Sequence, residues 1–438
     1  MRYWIAAIIT AFVGVGLAQE TFTGPAILSR GGVPSPRSGG DLFRIRPYVS
    51  FSATYDTGLA NVVTDPAGDV PVTDGYGVLG TFGVRGYHTW RRSLLGLDYE
   101  GDYRHYPNNP SYSGIDQLLA LGYNYQFSRR WTMTLRPAAG TFTRNYYFPT
   151  LGGFVDPAFS QFPTYELFDN RTYYLVASGD AAYQHSARLS ASFGGEGFVH
   201  RRRSSSLAGM TGTRARGDIA YRLTRSTTLG GAYAFNRWEY TKGFGTYNIH
   251  TLGVDISHQF ARRWELGLLA GAARVESEQL TVVPLDPQVA LILGQTTGVE
   301  VGHLRTYVPN IAVRISTTGK RSQVSFEYRN GITPGNGVTL ASRVNEIRAG
   351  FGYTATRYWS LHAWASGSRL KGFQNTAGLQ GYVGAGGGVS RRLIESLYLN
   401  GGVEWRRYLR TNSSLDRDGV HVSMGLSYSP GEMPLALW

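Results

Sequence analysis

The feature that most constrains this chain is an alternation of apolar and polar residues with a period of two. It returns in segment after segment from about residue 43 to residue 430. In residues 115–136 (IDQLLALGYNYQFSRRWTMTLR), Leu119, Leu121, Tyr123, Tyr125 and Phe127 fall on one parity. Ala120, Gly122, Asn124, Gln126 and Ser128 fall on the other. Successive side chains of a strand point to opposite faces, so the run reads as a strand with one apolar and one small, polar face. Arg129 and Arg130 follow, and alternation resumes at Trp131 with Met133 and Leu135, which makes the unit a β-hairpin with a basic turn. The same order of strand, basic turn, aromatic or aliphatic residue and strand recurs at 88–99, 259–269, 354–364 and 389–399. Arg92 and Arg130 stand 38 residues apart, as do Arg225 and Arg263, so the chain is an array of hairpins.

About eighteen such segments (16–18) follow one another over 43–430, each long enough to cross a bilayer as a tilted strand. Segments 75–90, 209–223 and 377–390 are glycine-rich, and their alternation is weak. Short connections alternate with long ones such as 57–74, 147–169 and 279–303. Short turns on one rim and long loops on the other predict an all-β fold, an antiparallel transmembrane β-barrel with short periplasmic turns, long external loops and an even strand number. A soluble propeller or sandwich would need a second core, and the polar parity carries too much charge for one. In a barrel the apolar parity meets lipid and the polar parity lines the lumen. There is no Cys, which excludes a disulfide framework and thiolate chemistry.

Met1–Ala18 reads as a signal peptide: Arg2, an apolar run from Trp4 to Val15, and a small-residue cleavage site at Gly16-Leu17-Ala18. Residues 19–42, with Gly31, Gly32, Pro34, Pro36, Gly39 and Gly40, read as a flexible linker too short to form a plug domain. The barrel is expected over 43–430 and a C-terminal tail over 431–438, since Pro430, Gly431 and Pro434 interrupt alternation before Trp438.

Taken together, the repeated alternating strands resemble Gram-negative outer-membrane β-barrel proteins, and the strand count is similar to that of porin-like channels. The resemblance implies a place in the cell outer membrane, contact with its lipid and lipopolysaccharide, and insertion by the barrel-assembly machinery. It also implies passive diffusion of small hydrophilic solutes. A non-transporting surface or structural barrel with a loop-closed lumen is the other reading. Nothing points to an enzyme or a cofactor. The histidines lack His-x-His or Glu-x-x-His spacing for a metal, and His250, or His200 near Glu196, supplies at most half of a hydrolytic pair.

The net charge of +13 is placed mainly in the short turns, among them Arg91, Arg92, Arg129, Arg130, Arg262 and Arg263. Arginines there reach anionic headgroups rather than nucleic acid. On the inward parity the signs nearly balance. Arg44, Arg46, Arg85, Arg104, Arg136, Arg144, Arg314, Arg329, Arg348 and Arg406 stand with Asp98, Glu100, Asp255, Glu327 and Glu404 as expected pore-lining charges. They serve as a structural ladder or as a field for passing solutes. Trp90, Trp131, Trp264 and Trp359 each lie within two residues of a short turn, which predicts a periplasmic aromatic girdle. Loop 147–169 holds Tyr147, Phe148, Phe154, Phe159, Phe162, Tyr165 and Phe168, too many aromatics for a loop in water. It either narrows the lumen or forms an apolar external patch. The porin resemblance implies the former, because it is the third external loop. Loop 279–303, with Leu291 and Ile292, either folds inward or meets a partner.

Overall fold

The computed structural model describes residues 43–60, 72–143, 168–169, 171–241, 245–354, 358–373, 379–410, 416–431 and 433–435. The expected signal peptide and linker (1–42) and the last three residues lie outside them. Each alternating run forms one strand. In chain order these are β1 (Phe43–Ala60), β2 (Val72–Thr89), β3 (Ser93–His105), β4 (Gly114–Gln126), β5 (Trp131–Phe142) and β6 (Thr172–Gln184). Then come β7 (Leu189–Arg202), β8 (Gly209–Arg222), β9 (Thr227–Thr241), β10 (Gly245–Ala261), β11 (Trp264–Pro284) and β12 (Thr297–Thr318). The last are β13 (Ser322–Thr333), β14 (Ser342–Tyr353), β15 (Trp359–Gly372), β16 (Leu379–Arg392), β17 (Leu397–Arg410) and β18 (Arg417–Tyr428), followed by a three-residue β19 (Met433–Leu435).

Neighbouring strands pair antiparallel, and β18 pairs back on β1 from Val49 opposite Tyr428 to Asp56 opposite His421. Closure leaves no long unpaired edge through the wall, which a lipid-facing sheet requires. Eighteen spanning strands, an even number, put the starts of β1 and the end of β18 on the same rim. Eight connections on that rim span two to five residues each.

Parity divides wall from lumen as the alternation predicts. Phe51, Phe193, Leu252 and Met424 face outward and are exposed, at 62%, 58%, 66% and 62%. An apolar exterior repeated around a closed sheet is stable only against hydrocarbon. The glycine-rich β16 is also regular. Its inward glycines make room for rings from β15: a Cβ at Gly386 would meet Trp364 Nε1 at 2.9 Å, and one at Gly388 would meet His362 Cε1 at 2.5 Å. The alternation is weak there because the side chain that fills the space comes from the neighbouring strand.

Two segments depart from their sequence reading. Residues 433–435 re-enter the sheet, with Met433 opposite Ile45 and Leu435 opposite Phe43. Paired residue numbers sum to 477 along β18 and 478 along β19, so one extra residue is accommodated between them, as in a β-bulge. Residues 279–303 are not one loop. β11 and β12 run on as a paired ribbon to Pro284 opposite Thr297, capped by a short helix α1 (Pro287–Leu293). Leu291 and Ile292 on α1 are 87% and 80% exposed, so this segment does not fold into the lumen.

Candidate functional site in the barrel lumen

The lumen has two zones. From the short-turn rim to beyond the middle of the wall, inward side chains are polar and charged. Arg85 Nε lies 3.5 Å from Asp98 Oδ1, and its guanidinium covers the Tyr48 ring at 5.1 Å. The Tyr48 hydroxyl donates to Glu100. Arg46 donates to Ser429 Oγ at 3.1 Å, beside the barrel seam. Farther round, Arg216 Nη2 meets Asp180 Oδ1 at 2.5 Å, Arg348 Nη2 meets Glu346 Oε1 at 2.5 Å, and Arg406 pairs with Glu404. Glu327 stands opposite Arg314 on β12 and opposite Arg348 on β14, while Arg329 donates to the Ile332 carbonyl at 3.3 Å. Asp255 lies against Gly230, where a Cβ would meet its Oδ1 at 2.3 Å. Arg44 faces Tyr87, and Arg136 projects inward from β5. Arg144 lies outside the described residues. Ladders of paired charge across neighbouring strands hold these inward groups in partnered positions along the wall.

Towards the long loops most inward residues from β4 to β12 turn apolar, while Asp102, Arg104 and Asp116 keep the side near the seam charged. Leu118, Phe142, Tyr174, Val176, Phe198, Met210, Trp238, Tyr247, Ile249 and Val275 form one buried cluster inside the barrel, joined by Ala341. His200 belongs to this zone, enclosed and stacked on Phe142 with ring centroids 5.9 Å apart. His250 faces outward against the Tyr233 hydroxyl at 2.8 Å. The two histidines therefore lie on opposite faces of the wall.

The apolar zone is roofed by the connection between β13 and β14, residues 334–341. On one side, Tyr240 of β9 donates to the Pro334 carbonyl at 2.7 Å. Ala208, in the β7–β8 connection, donates its N–H to the Gly337 carbonyl at 3.1 Å. On the other side, Asn336 Nδ2 donates to Gln380 Oε1 of β16 at 2.7 Å, and Gln380 Nε2 donates to Thr339 Oγ1 at 2.6 Å. Val338 packs on the Tyr382–Tyr408 pair of β16 and β17. β8, which Ala208 immediately precedes, and β16 are eight strands apart in a ring of eighteen, so the segment crosses the lumen between nearly opposite walls. Gly335 and Gly337 make the crossing possible, with φ of 81° and 85°. A Cβ at Gly337 would also strike the Arg202 guanidinium at 2.7 Å.

A second element meets it. Phe168, at the end of the β5–β6 connection, packs on the same Tyr382–Tyr408 pair as Val338. Asp169 donates its N–H to the Ala60 carbonyl, and its carboxylate accepts from the Ala60 N–H, both at 2.9 Å. The same carboxylate meets Arg417 at 3.4 Å, and Arg417 covers the Tyr408 ring at 4.6 Å. These partners stand five to eight strands from β6, so this end of the third long connection lies across the mouth. Tyr147, Phe148, Phe154, Phe159, Phe162 and Tyr165 lie outside the described residues. A third contribution comes from Tyr106, which donates to Asp56 Oδ2 at 2.6 Å while His421 Nδ1 lies 2.8 Å from Asp56 Oδ1.

On the outer wall, Trp131, Trp264 and Trp359 open β5, β11 and β15, and Trp90 follows β2. Their exposures of 39%, 39%, 40% and 42% are nearly equal. Arg391 covers Trp359 at 5.1 Å.

The fold and its lumen thus define a closed antiparallel membrane barrel of eighteen strands whose long-loop mouth is crossed by its own connections. Solved structures similar to it include OpdL of Pseudomonas aeruginosa, at 10% identity over 90% of this chain and 99% of that one, with a TM-score of 0.43. OccK2 (OpdF) of Pseudomonas aeruginosa in complex with glucuronate is 11% identical over 88% and 98%, with a TM-score of 0.43. A BenF-like porin from Pseudomonas fluorescens Pf-5 is 11% identical over 89% and 99%, with the same score. No family model and no curated protein sequence matches the chain.

Proposed function

We propose that the chain is a passive outer-membrane channel for small hydrophilic solutes, narrowed at its external mouth. The observation that carries this reading is the segment 334–341 bridging nearly opposite walls above a lumen lined with charge. A barrel with a hydrated inner wall conducts unless it is plugged, and a mouth narrowed by polar and aromatic groups selects by size and charge. Nearly balanced inward charges give such a pore weak ion preference. The short-turn rim, with its arginines and tryptophans, faces the periplasm, and the β11–β12 ribbon with α1 stands outside the cell.

Single-channel recording in planar bilayers tests the conduction reading. The purified barrel gives discrete conductance steps. A barrel that folds and inserts but never conducts belongs to the surface-protein alternative. Orientation has its own test, helped by the absence of native Cys. Leu291→Cys, at the exposed tip of α1, is labelled by an impermeant thiol reagent on intact cells, whereas Ser128→Cys in the β4–β5 turn is labelled only after the outer membrane is breached. The reverse pattern overturns the assigned topology.

A further inference from the structure

Charges on the outward parity of a membrane barrel are costly at the bilayer midplane and tolerable near the headgroups. At the long-loop rim, several outward cations have a carboxylate on the same wall. Arg237 meets Glu239 at 2.7 Å, Arg305 meets Glu276 at 3.1 Å with Arg274 on the same carboxylate, and Arg407 meets Asp418 at 3.7 Å. The wall at β14–β15 departs from this. Arg343 and Lys371 are directly opposite each other in register, and Arg369 follows on the same face, opposite Asn345. These three cations make no ion pair with any described residue, and the Arg343 Nε is buried without a hydrogen-bond partner. Like charges directly opposite in a sheet repel. Beside Arg369 on β16 stands Gly381, so no side chain screens the group from that flank.

The height of the cluster identifies what compensates it. Arg369 is ten residues up β15 from Trp359 at the short-turn rim. At about 3.4 Å per residue and a tilt of about 40°, that is roughly 25 Å, the thickness of the apolar band of an outer-membrane barrel. The outward residues between them, Leu361, Ala363, Ala365 and Gly367, carry no charge. The cations therefore emerge at the outer headgroup level.

We propose that Arg343, Arg369 and Lys371 form a binding site on the barrel wall for the phosphate of an outer-leaflet lipid headgroup. Arg343 and Lys371 converge on the anion from adjacent strands, and Arg369 adds a planar fork below them. The site rests on the membrane-barrel orientation given above and does not require conduction.

The test uses the full barrel in nanodiscs of phosphatidylcholine containing a minor share of phosphatidic acid, released into detergent and read by native mass spectrometry. The wild type retains phosphatidic acid in preference to phosphatidylcholine, and R343Q/R369Q/K371Q reduces that retention roughly tenfold. The paired-cation variant R237Q/R407Q leaves it unchanged. Equal retention by the triple variant overturns the site. So does displacement of the lipid by millimolar inorganic phosphate, which would make it a site for a soluble anion. If the triple variant fails to fold, R369Q and K371Q singly each lower retention roughly two- to threefold, about a third of the triple variant's effect in free energy, and no change in either overturns the proposal. Conductance is not read, so a failed channel reading and a failed lipid site remain separate results.

Discussion

Replacing residues 334–341 with a two-residue Asn-Gly turn raises single-channel conductance several-fold and leaves the barrel folded. The replacement is geometrically simple because Thr333 and Ser342, at either end of the segment, are already register partners. A two-residue type I′ turn closes such a pair directly. What is removed is the crossing itself: the Pro334 carbonyl bonded to Tyr240, the Gly337 carbonyl bonded to Ala208, and Asn336 and Thr339 bonded to Gln380. Tyr240 and Gln380 then project into a wider, wetter mouth, where water satisfies them. The wall hydrogen bonds are untouched, so the protein still migrates as a compact species in detergent gels until heated. Unchanged conductance in a folded variant would place the resistance elsewhere, most directly at the Phe168 contact. Phe168→Ala in the same background then separates the two contributions.

Arg104→Met lowers the unfolding free energy by about 3–5 kcal/mol, read by urea titration in lipid vesicles with tryptophan fluorescence. The Arg104 side chain is 1% exposed and meets Asp116 Oδ2 at 2.5 Å. Asp116 also accepts from the Thr143 N–H at 3.0 Å and the Thr143 hydroxyl at 2.7 Å, so it is held in place and cannot turn to water. Asp116 lies directly opposite Asp102 across β3–β4, and Thr81 donates to Asp102 at 2.6 Å. One guanidinium thus stands beside two enclosed carboxylates on facing strands. Removing it leaves like charges opposed in a poorly hydrated part of the wall, where the unpaired ion carries its desolvation cost without return. The triple variant R104M/D102N/D116N recovers part of the loss, because no uncompensated charge then remains and Thr143 keeps an acceptor. A loss below about 1 kcal/mol for Arg104→Met would mean that water reaches this part of the lumen and screens the carboxylates.

The wall was legible in the sequence because strand parity is a local property. Residues two apart share a face whatever the rest of the chain does, so Leu119, Leu121 and Tyr123 announce a lipid-facing stripe without knowledge of their partners. The same locality placed Arg85 and Asp98 on one face, and the register then put them opposite each other. Even the tryptophans could be aligned, since their offset from each short turn is counted in single residues. The mouth was less legible. The aromatic surplus in 147–169 marked a loop that needs cover, and Phe168 now shows where one end of it goes. Segment 334–341, PGNGVTLA, gave no comparable sign, since its Pro and Gly residues read as an ordinary turn.

The chain by itself determined the strand period, the two faces, the turn rim and the number of crossings, all of which depend on neighbours in sequence. Tertiary structure alone decided what crosses the lumen and what stands opposite what. Tyr240 meets Pro334 94 residues away, Asn336 meets Gln380 44 residues away, and Asp169 meets Arg417 248 residues away. Met433–Leu435 found partners only because closure brings β1 within reach across one extra residue. The unpaired cations of β14–β15 became visible only through register, since a one-residue slip would turn either strand's charges to the other face. Such contacts are set by the circumference of the closed barrel, and no local period encodes a circumference.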